Sequence, residues 1–191
     1  MRLRTLASAL ALLFGTGMGL APGSAATPPS AAGEPSTDQL IAVGTARADI
    51  TPSEPIRLAG YGSREHESEG VAQHLHAKAL AIGSDENGPL LLITTDLIGV
   101  SSALTERLVQ RLAGRTSLDR DRLTLAVTHT HTGPMVSGVL PYIFGEPIPP
   151  SHQKRIDAYT NRLLDELEKL AVDALAARRP AVLAWGKGSA G

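Results

Sequence analysis

Apolar and polar positions change period several times along this chain, and each change marks an element. Ile41, Val43 and Thr45 alternate with smaller residues, the period-2 pattern of a strand. Asp49-Ile50-Thr51-Pro52 closes that strand, because aspartate can form a turn with its own downstream backbone and the proline keeps Thr51 extended. His76-Ala77-Lys78-Ala79-Leu80-Ala81-Ile82 predicts a second strand. Asp85-Glu86-Asn87-Gly88 predicts a hairpin turn, since Asn-Gly tolerates positive φ. The run Pro89-Leu90-Leu91-Leu92-Ile93-Thr94-Thr95 is almost continuously apolar, which predicts a strand covered on both faces. Asp96 stands where the run stops.

The period then lengthens. Leu104, Leu108, Val109 and Leu112 recur on one face of a helix that Ser101 or Ser102 can cap and Gly114 can stop, with Arg107 and Arg111 towards the end that favours cations. Residues 123–128 predict another strand. A strand, helix and strand in succession form a parallel pair, so Asp96 and whatever follows residue 128 arrive on the same rim of the sheet. Residues 135–150, with Pro141, Pro147, Pro149 and Pro150, predict a long loop of the kind that serves as a lid. A helix follows from about His152 to Ala177, capped by Ser151, with Ile156, Tyr159, Leu163, Leu164, Leu167 and Leu170 on its inner face. On its outer face Asp165 and Lys169 have i,i+4 spacing. Arg178-Arg179-Pro180 predicts its end, and Ala181-Val182-Leu183-Ala184-Trp185 a last strand after which the sequence stops. The expected class is α/β, a mixed, partly parallel β-sheet flanked by helices, apparently truncated at the C-terminus.

Composition narrows the functional classes. With 191 residues, 42% hydrophobic and 19% charged, one core and an appendage are expected. A net charge of -1 gives no electrostatic reason to bind nucleic acid or an anionic membrane. No cysteine is present, so disulfides, thiolate metal sites and a cysteine nucleophile are excluded. Arg2 and Arg4, then an apolar run interrupted by Gly15, Gly17 and Gly19, then Ser24-Ala25-Ala26, have the order of an export signal over residues 1–26. The run falls short of the roughly 20 apolar residues of a stable membrane span. Residues 27–39, rich in Pro, Ala, Ser and Gly, predict a disordered linker. A secreted or periplasmic location is expected.

The chemistry concentrates in Thr128-His129-Thr130-His131-Thr132-Gly133-Pro134. On an extended backbone the two histidines would point to the same side, about 7 Å apart at their Cα atoms, able to face one ion or one substrate. Two imidazoles do not define a metal site, and surface or packing histidines are the alternative. Asp96 on the same rim strengthens the ligand reading. Tyr61, between Gly60 and Gly62, is either a pocket wall or part of a flexible turn. His66, His74, His76 and His152 read as surface or packing residues.

Several of these stretches form a set: 43–52, Leu58-Ala59-Gly60-Tyr61, His76-Ala77-Lys78-Ala79, Thr95-Asp96-Leu97 and 128–134. In that order the set resembles the start of the neutral/alkaline non-lysosomal ceramidase family, with residues 40–191 as the N-terminal portion of the catalytic domain. The resemblance implies a secreted or periplasmic zinc amidase that cleaves ceramide to a sphingoid base and a fatty acid. It maps a zinc ligand onto His129 and a group beside the substrate amide onto His131. Asp96, from its place on the same rim, is a second candidate catalytic residue, and Gly60 and Tyr61, from the backbone freedom of the glycines, are candidate substrate contacts. The resemblance also puts the family's other zinc ligands (a histidine, a glutamate and a tyrosine), an arginine and the active-site serine beyond Gly191, so these residues alone should bind zinc weakly and turn over nothing. Ala72-Gln73-His74 stands where some relatives carry His-Asp-Pro, which leaves other amides or esters as alternative substrates. A non-catalytic secreted module is the remaining alternative.

Overall fold

The structure is a computed structural model and describes residues 40–184, so the export signal, the linker and the end of the predicted last strand lie outside the described residues. Strand β1 (Ile41–Asp49), β2 (His76–Ile82), β3 (Leu90–Thr95), helix α1 (Ser102–Ala113), β4 (Leu123–Val127), helix α2 (Pro150–Ala176) and β5 (Arg179–Ala181) follow in order. The five strands form one sheet in the order β4-β3-β2-β1-β5. Only β3 and β4 are parallel; the other pairs are antiparallel, which makes the sheet mixed as expected.

The local signals act where the sequence puts them. Asp49 Oδ1 accepts from the Thr51 amide at 2.8 Å, closing the turn after β1. The Thr51 hydroxyl and amide beside it hold the Asp49 carboxyl well below the usual carboxylate range. Gly88 takes φ 68° in the turn that joins β2 to β3. Ser101 caps α1 by accepting from the Leu104 amide at 3.2 Å, and Gly114 ends it.

Four expectations are corrected. β3 is covered on one face only: Leu91, Ile93 and Thr95 are buried, whereas Leu90 and Leu92 are 50% and 39% exposed. The reason is that α2 packs across β1, β2 and β3 and α1 packs on α2, so both helices share one side of the sheet. At the start of α2, Pro149 holds the cap position without a side-chain cap and Pro150 is the first helical residue. Proline is pre-set for that position, so Ser151 is not needed as a cap. On the outer face of α2, Lys169 pairs with Asp173, while Asp165 and Glu168 pair with Arg111 of α1 at 2.5 and 3.2 Å. Finally, the chain leaves α2 directly into β5, because Arg178 donates to the carbonyls of Leu175 and Gly83 at the crossing, and Pro180 sits on an edge strand where it needs no donor.

Small residues on the helix side of β1 and β2, namely Gly44, Ala77, Ala79 and Ala81, let α2 lie close to the sheet. The leucines of α1 and α2 then fill the layer, and burying each contributes about 2 kcal/mol relative to exposure. Tyr159 of α2 is 5% exposed and donates to the Ile50 carbonyl at 2.8 Å, tying the end of β1 to the helix. Burial pushes its phenol above the usual range, so the hydroxyl remains a donor. Tyr159→Phe should therefore lower stability by about 1 to 2 kcal/mol in urea unfolding, the cost of a buried carbonyl left without its partner.

Candidate functional site

The parallel pair delivers the site. Thr95 is opposite Val127, and the Thr128 amide donates to the Thr95 carbonyl at 3.0 Å, so Asp96 and the histidine loop leave the sheet side by side. The loop does not continue as a strand. His129 has φ 59°, in the left-handed region, and Thr130 and Thr132 join their hydroxyls at 3.0 Å across the turn. The two rings meet through this bend rather than through strand alternation: their centroids are 5.1 Å apart at an interplanar angle of 73°. A histidine in this conformation stores about 1 to 2 kcal/mol of strain. What holds it is the contact of Nδ1 with the Ile98 carbonyl at 2.9 Å. Since a carbonyl only accepts, Nδ1 carries the proton and Nε2 keeps its lone pair free.

The strip from Ile56 to Tyr61 covers the other side of the loop. Met135 donates to the Arg57 carbonyl at 2.8 Å and Ala59 to the Gly133 carbonyl at 3.0 Å, so this strip runs against residues 133–135. Gly60, at φ 108°, presses on His131: a Cβ there would lie 2.7 Å from the His131 Cα and Cβ. The Tyr61 ring meets the His131 ring edge-on at 5.2 Å. The Gly60-Tyr61 stretch thus packs against His131, with the Tyr61 side chain half-exposed.

Asp96 reaches the rim but turns to different partners. Its Oδ2 accepts from the His76 amide at 2.9 Å and lies 4.0 Å from His76 Nδ1. Arg47 donates to His76 Nε2 at 2.5 Å, and His74 Nδ1 lies 2.6 Å from Asp49 Oδ2. His74 and His76 therefore belong to the rim. Their own H-x-H spacing at the start of a strand, paired with acids at the ends of β1 and β3, is the signal that could have placed them there. Asp96, His74, Thr128, Thr130 and Thr132 line a cavity of about 650 Å³ beneath residues 68–75, and neither His129 nor His131 lines it. The seven-residue loop thus has hydroxyls on a cavity and imidazoles elsewhere.

The loop predicted as a lid is anchored at three residues, with the exposed Tyr142 between them. Met135, Val136 and Phe144 are buried, and the guanidinium of Arg57, 3% exposed, lies 4.0 Å from the Phe144 ring. Arg155 of α2 grips Glu67 through both carboxylate oxygens, at 2.6 and 2.5 Å. That guanidinium holds the Glu67 carboxyl below the usual carboxylate range. A depressed value means stability present above the unfolded value of about 4.3 and lost as pH falls below it. The difference in Tm between the wild type and Glu67→Gln should be largest near neutral pH and shrink as pH drops below about 4.3; a difference constant with pH would remove this pair from the account.

The donor set fits part of a metal site. His129 offers a lone pair fixed by its carbonyl contact, the arrangement that orients ligating histidines. Among the described residues, however, no group of three or more His, Cys, Asp or Glu side chains could hold a metal ion. No helix among them is long and apolar enough to cross a membrane.

Comparison with known proteins agrees with the motif set. Residues 41–149 match the family described as "Neutral/alkaline non-lysosomal ceramidase, N-terminal". A neutral ceramidase of Pseudomonas aeruginosa is 32% identical over 95 residues, which is 48% of this chain and 14% of that protein. Neutral ceramidase 3 of Arabidopsis thaliana is 27% identical over 157 residues, 80% of this chain and 20% of its own. The crystal structure of the neutral ceramidase from Pseudomonas aeruginosa superposes with a TM-score of 0.57 at 25% identity, over 75% of this chain and 22% of that one. A structure described as a ceramidase complexed with C2 has the same fold, with a TM-score of 0.58 at 24% identity over the same shares. The chain therefore spans between 14% and 22% of the length of these relatives. With its sheet, its rim loop and more than half of its residues accounted for by one match, this chain belongs to the neutral/alkaline non-lysosomal ceramidase family.

Proposed function

We propose that this chain supplies the two-histidine part of a zinc-dependent amidohydrolase that cleaves the amide of an N-acylated sphingoid base, in a secreted or periplasmic protein directed by residues 1–26. The observation that carries the reading is His129: a strained backbone and a fixed Nδ1 hold an open Nε2 within one ring's reach of His131. Bound zinc would supply polarisation of the amide carbonyl and an acidified water. His129 offers one of its ligands. His131, steadied by Tyr61, is placed to hydrogen-bond the reacting amide and to carry a proton towards the departing amine. Gly60 and Tyr61 form the wall against which the substrate would rest. Asp96, engaged by the His76 amide, holds the rim in shape.

The remaining donors belong to other parts of the enzyme, so the 191-residue chain should bind zinc weakly and release no fatty acid from ceramide. Fatty-acid release by the purified chain would refute this division of the site. In a protein that carries this segment within the family's full length, ceramide should be hydrolysed and a chelator should stop it. If short acyl-amides or esters are consumed and ceramide is not, the substrate is a different amide or ester. If a chelator has no effect, the metal reading fails.

A further inference from the structure

Arg64 is absent from the motifs that mark the family, yet it touches the site at two points. Its Nη1 donates to the His131 carbonyl at 2.9 Å, and its guanidinium carbon lies 5.0 Å from the Tyr61 ring. Tyr61 in turn meets the His131 ring at 5.2 Å, and Gly60 has no room for a side chain against His131 Cβ. Backbone and ring of His131 are thus gripped from one short segment, 60–64, that lies 67 residues upstream of it at Arg64. Nothing on the His131 ring itself is hydrogen-bonded to a protein group among the described contacts, so its direction depends on this grip. A carbonyl bound to a charged donor is held more firmly than one bound to a neutral amide. The same guanidinium also lies against the aromatic face that abuts the ring.

We propose that Arg64 is a positioning residue for His131: by fixing its carbonyl and backing Tyr61, it sets the angle at which the His131 ring meets His129. This rests on the reading of the two histidines as parts of one site, but its test does not require that reading to hold. Ordering a group that aligns a ligand or a proton carrier typically changes metal affinity or rate by about 10- to 100-fold. Arg64 is itself half-exposed on a loop, so replacing it need not disturb the core.

The test uses the 191-residue chain with 15N-labelled histidine rings, together with zinc titration. Arg64→Ala should shift the His131 ring resonances and weaken the through-space contacts of its ring protons with the rings of Tyr61 and His129, while the resonances of His74, paired with Asp49, stay in place. Zinc affinity, which rests on His129, should be largely unchanged, so that the effect is confined to His131. Arg64→Lys, which keeps a charged donor and loses the planar fork, should restore the His131 signals in part. If Arg64→Ala unfolds the chain, Arg64→Gln decides the matter: it keeps a neutral donor of similar length and should shift His131 less than alanine would but more than lysine does, and unmoved His131 resonances in Arg64→Gln overturn the proposal. Unchanged His131 resonances in Arg64→Ala would overturn the proposal. If the resonances move but neither wild type nor variant takes up zinc, the positioning role stands and the metal reading falls.

Discussion

Gly44→Ala should destabilise the fold by about 3 kcal/mol, and Gly44→Val by more. At this position β1 runs directly under the last turn of α2. An added Cβ would lie 2.1 Å from the Ala174 carbonyl oxygen and 2.8 Å from the Arg178 amide nitrogen. Both are backbone atoms, so no side chain can swing aside and the helix must lift. That would open the layer over Ala79 and Ala81 and unseat β5, which pairs with β1 across Val43 and Arg179. Urea unfolding of Gly44→Ala against Gly114→Ala makes the comparison. A Cβ on Gly114 meets open space, so that control should be neutral or slightly stabilising. Equal midpoints for the two variants would mean that α2 does not lie on β1 as described.

The second large effect is expected at His129. Asparagine tolerates the left-handed backbone better than histidine does, and that relief offsets the loss of the Ile98 contact, so His129→Asn should stay within about 1 kcal/mol of the wild type. The same change removes the imidazole that offers Nε2, and zinc binding should become undetectable. Thermal unfolding and zinc titration on the one variant report the two halves of this statement separately. If His129→Asn loses stability and keeps its zinc affinity, the strain has no connection with the metal and another ligand must be sought.

The strands and α1 were legible because their signals are local. Alternation over residues 41–45, the Asn87-Gly88 turn and the Ser101 cap each act within a few residues. The rim was legible one step further out, since a parallel pair must bring Asp96 and Thr128 together. The one-sided sheet was not, because the leucine run of β3 fits burial on both faces and only the placement of α2 and α1 on one side decides it. The bend at His129 escaped for a similar reason: the Thr-His alternation matches a strand, and the Ile98 carbonyl that holds the ring comes from 31 residues earlier in the chain. Gly60 reads as a turn glycine until its distance to His131 is known. Asp96 was placed on the correct rim by topology, but its choice of the His76 amide depends on the antiparallel register of β2 and β3.

Because hydroxyls and imidazoles of the 128–134 loop serve separate surroundings, the two can vary independently. Changing Thr128 would reshape the 650 Å³ space without touching the hydroxyl pair of Thr130 and Thr132 that closes the bend, and the histidine rings do not line that space. The shape of the cavity and the direction of the nitrogen donors are thus set by different side chains of one short loop.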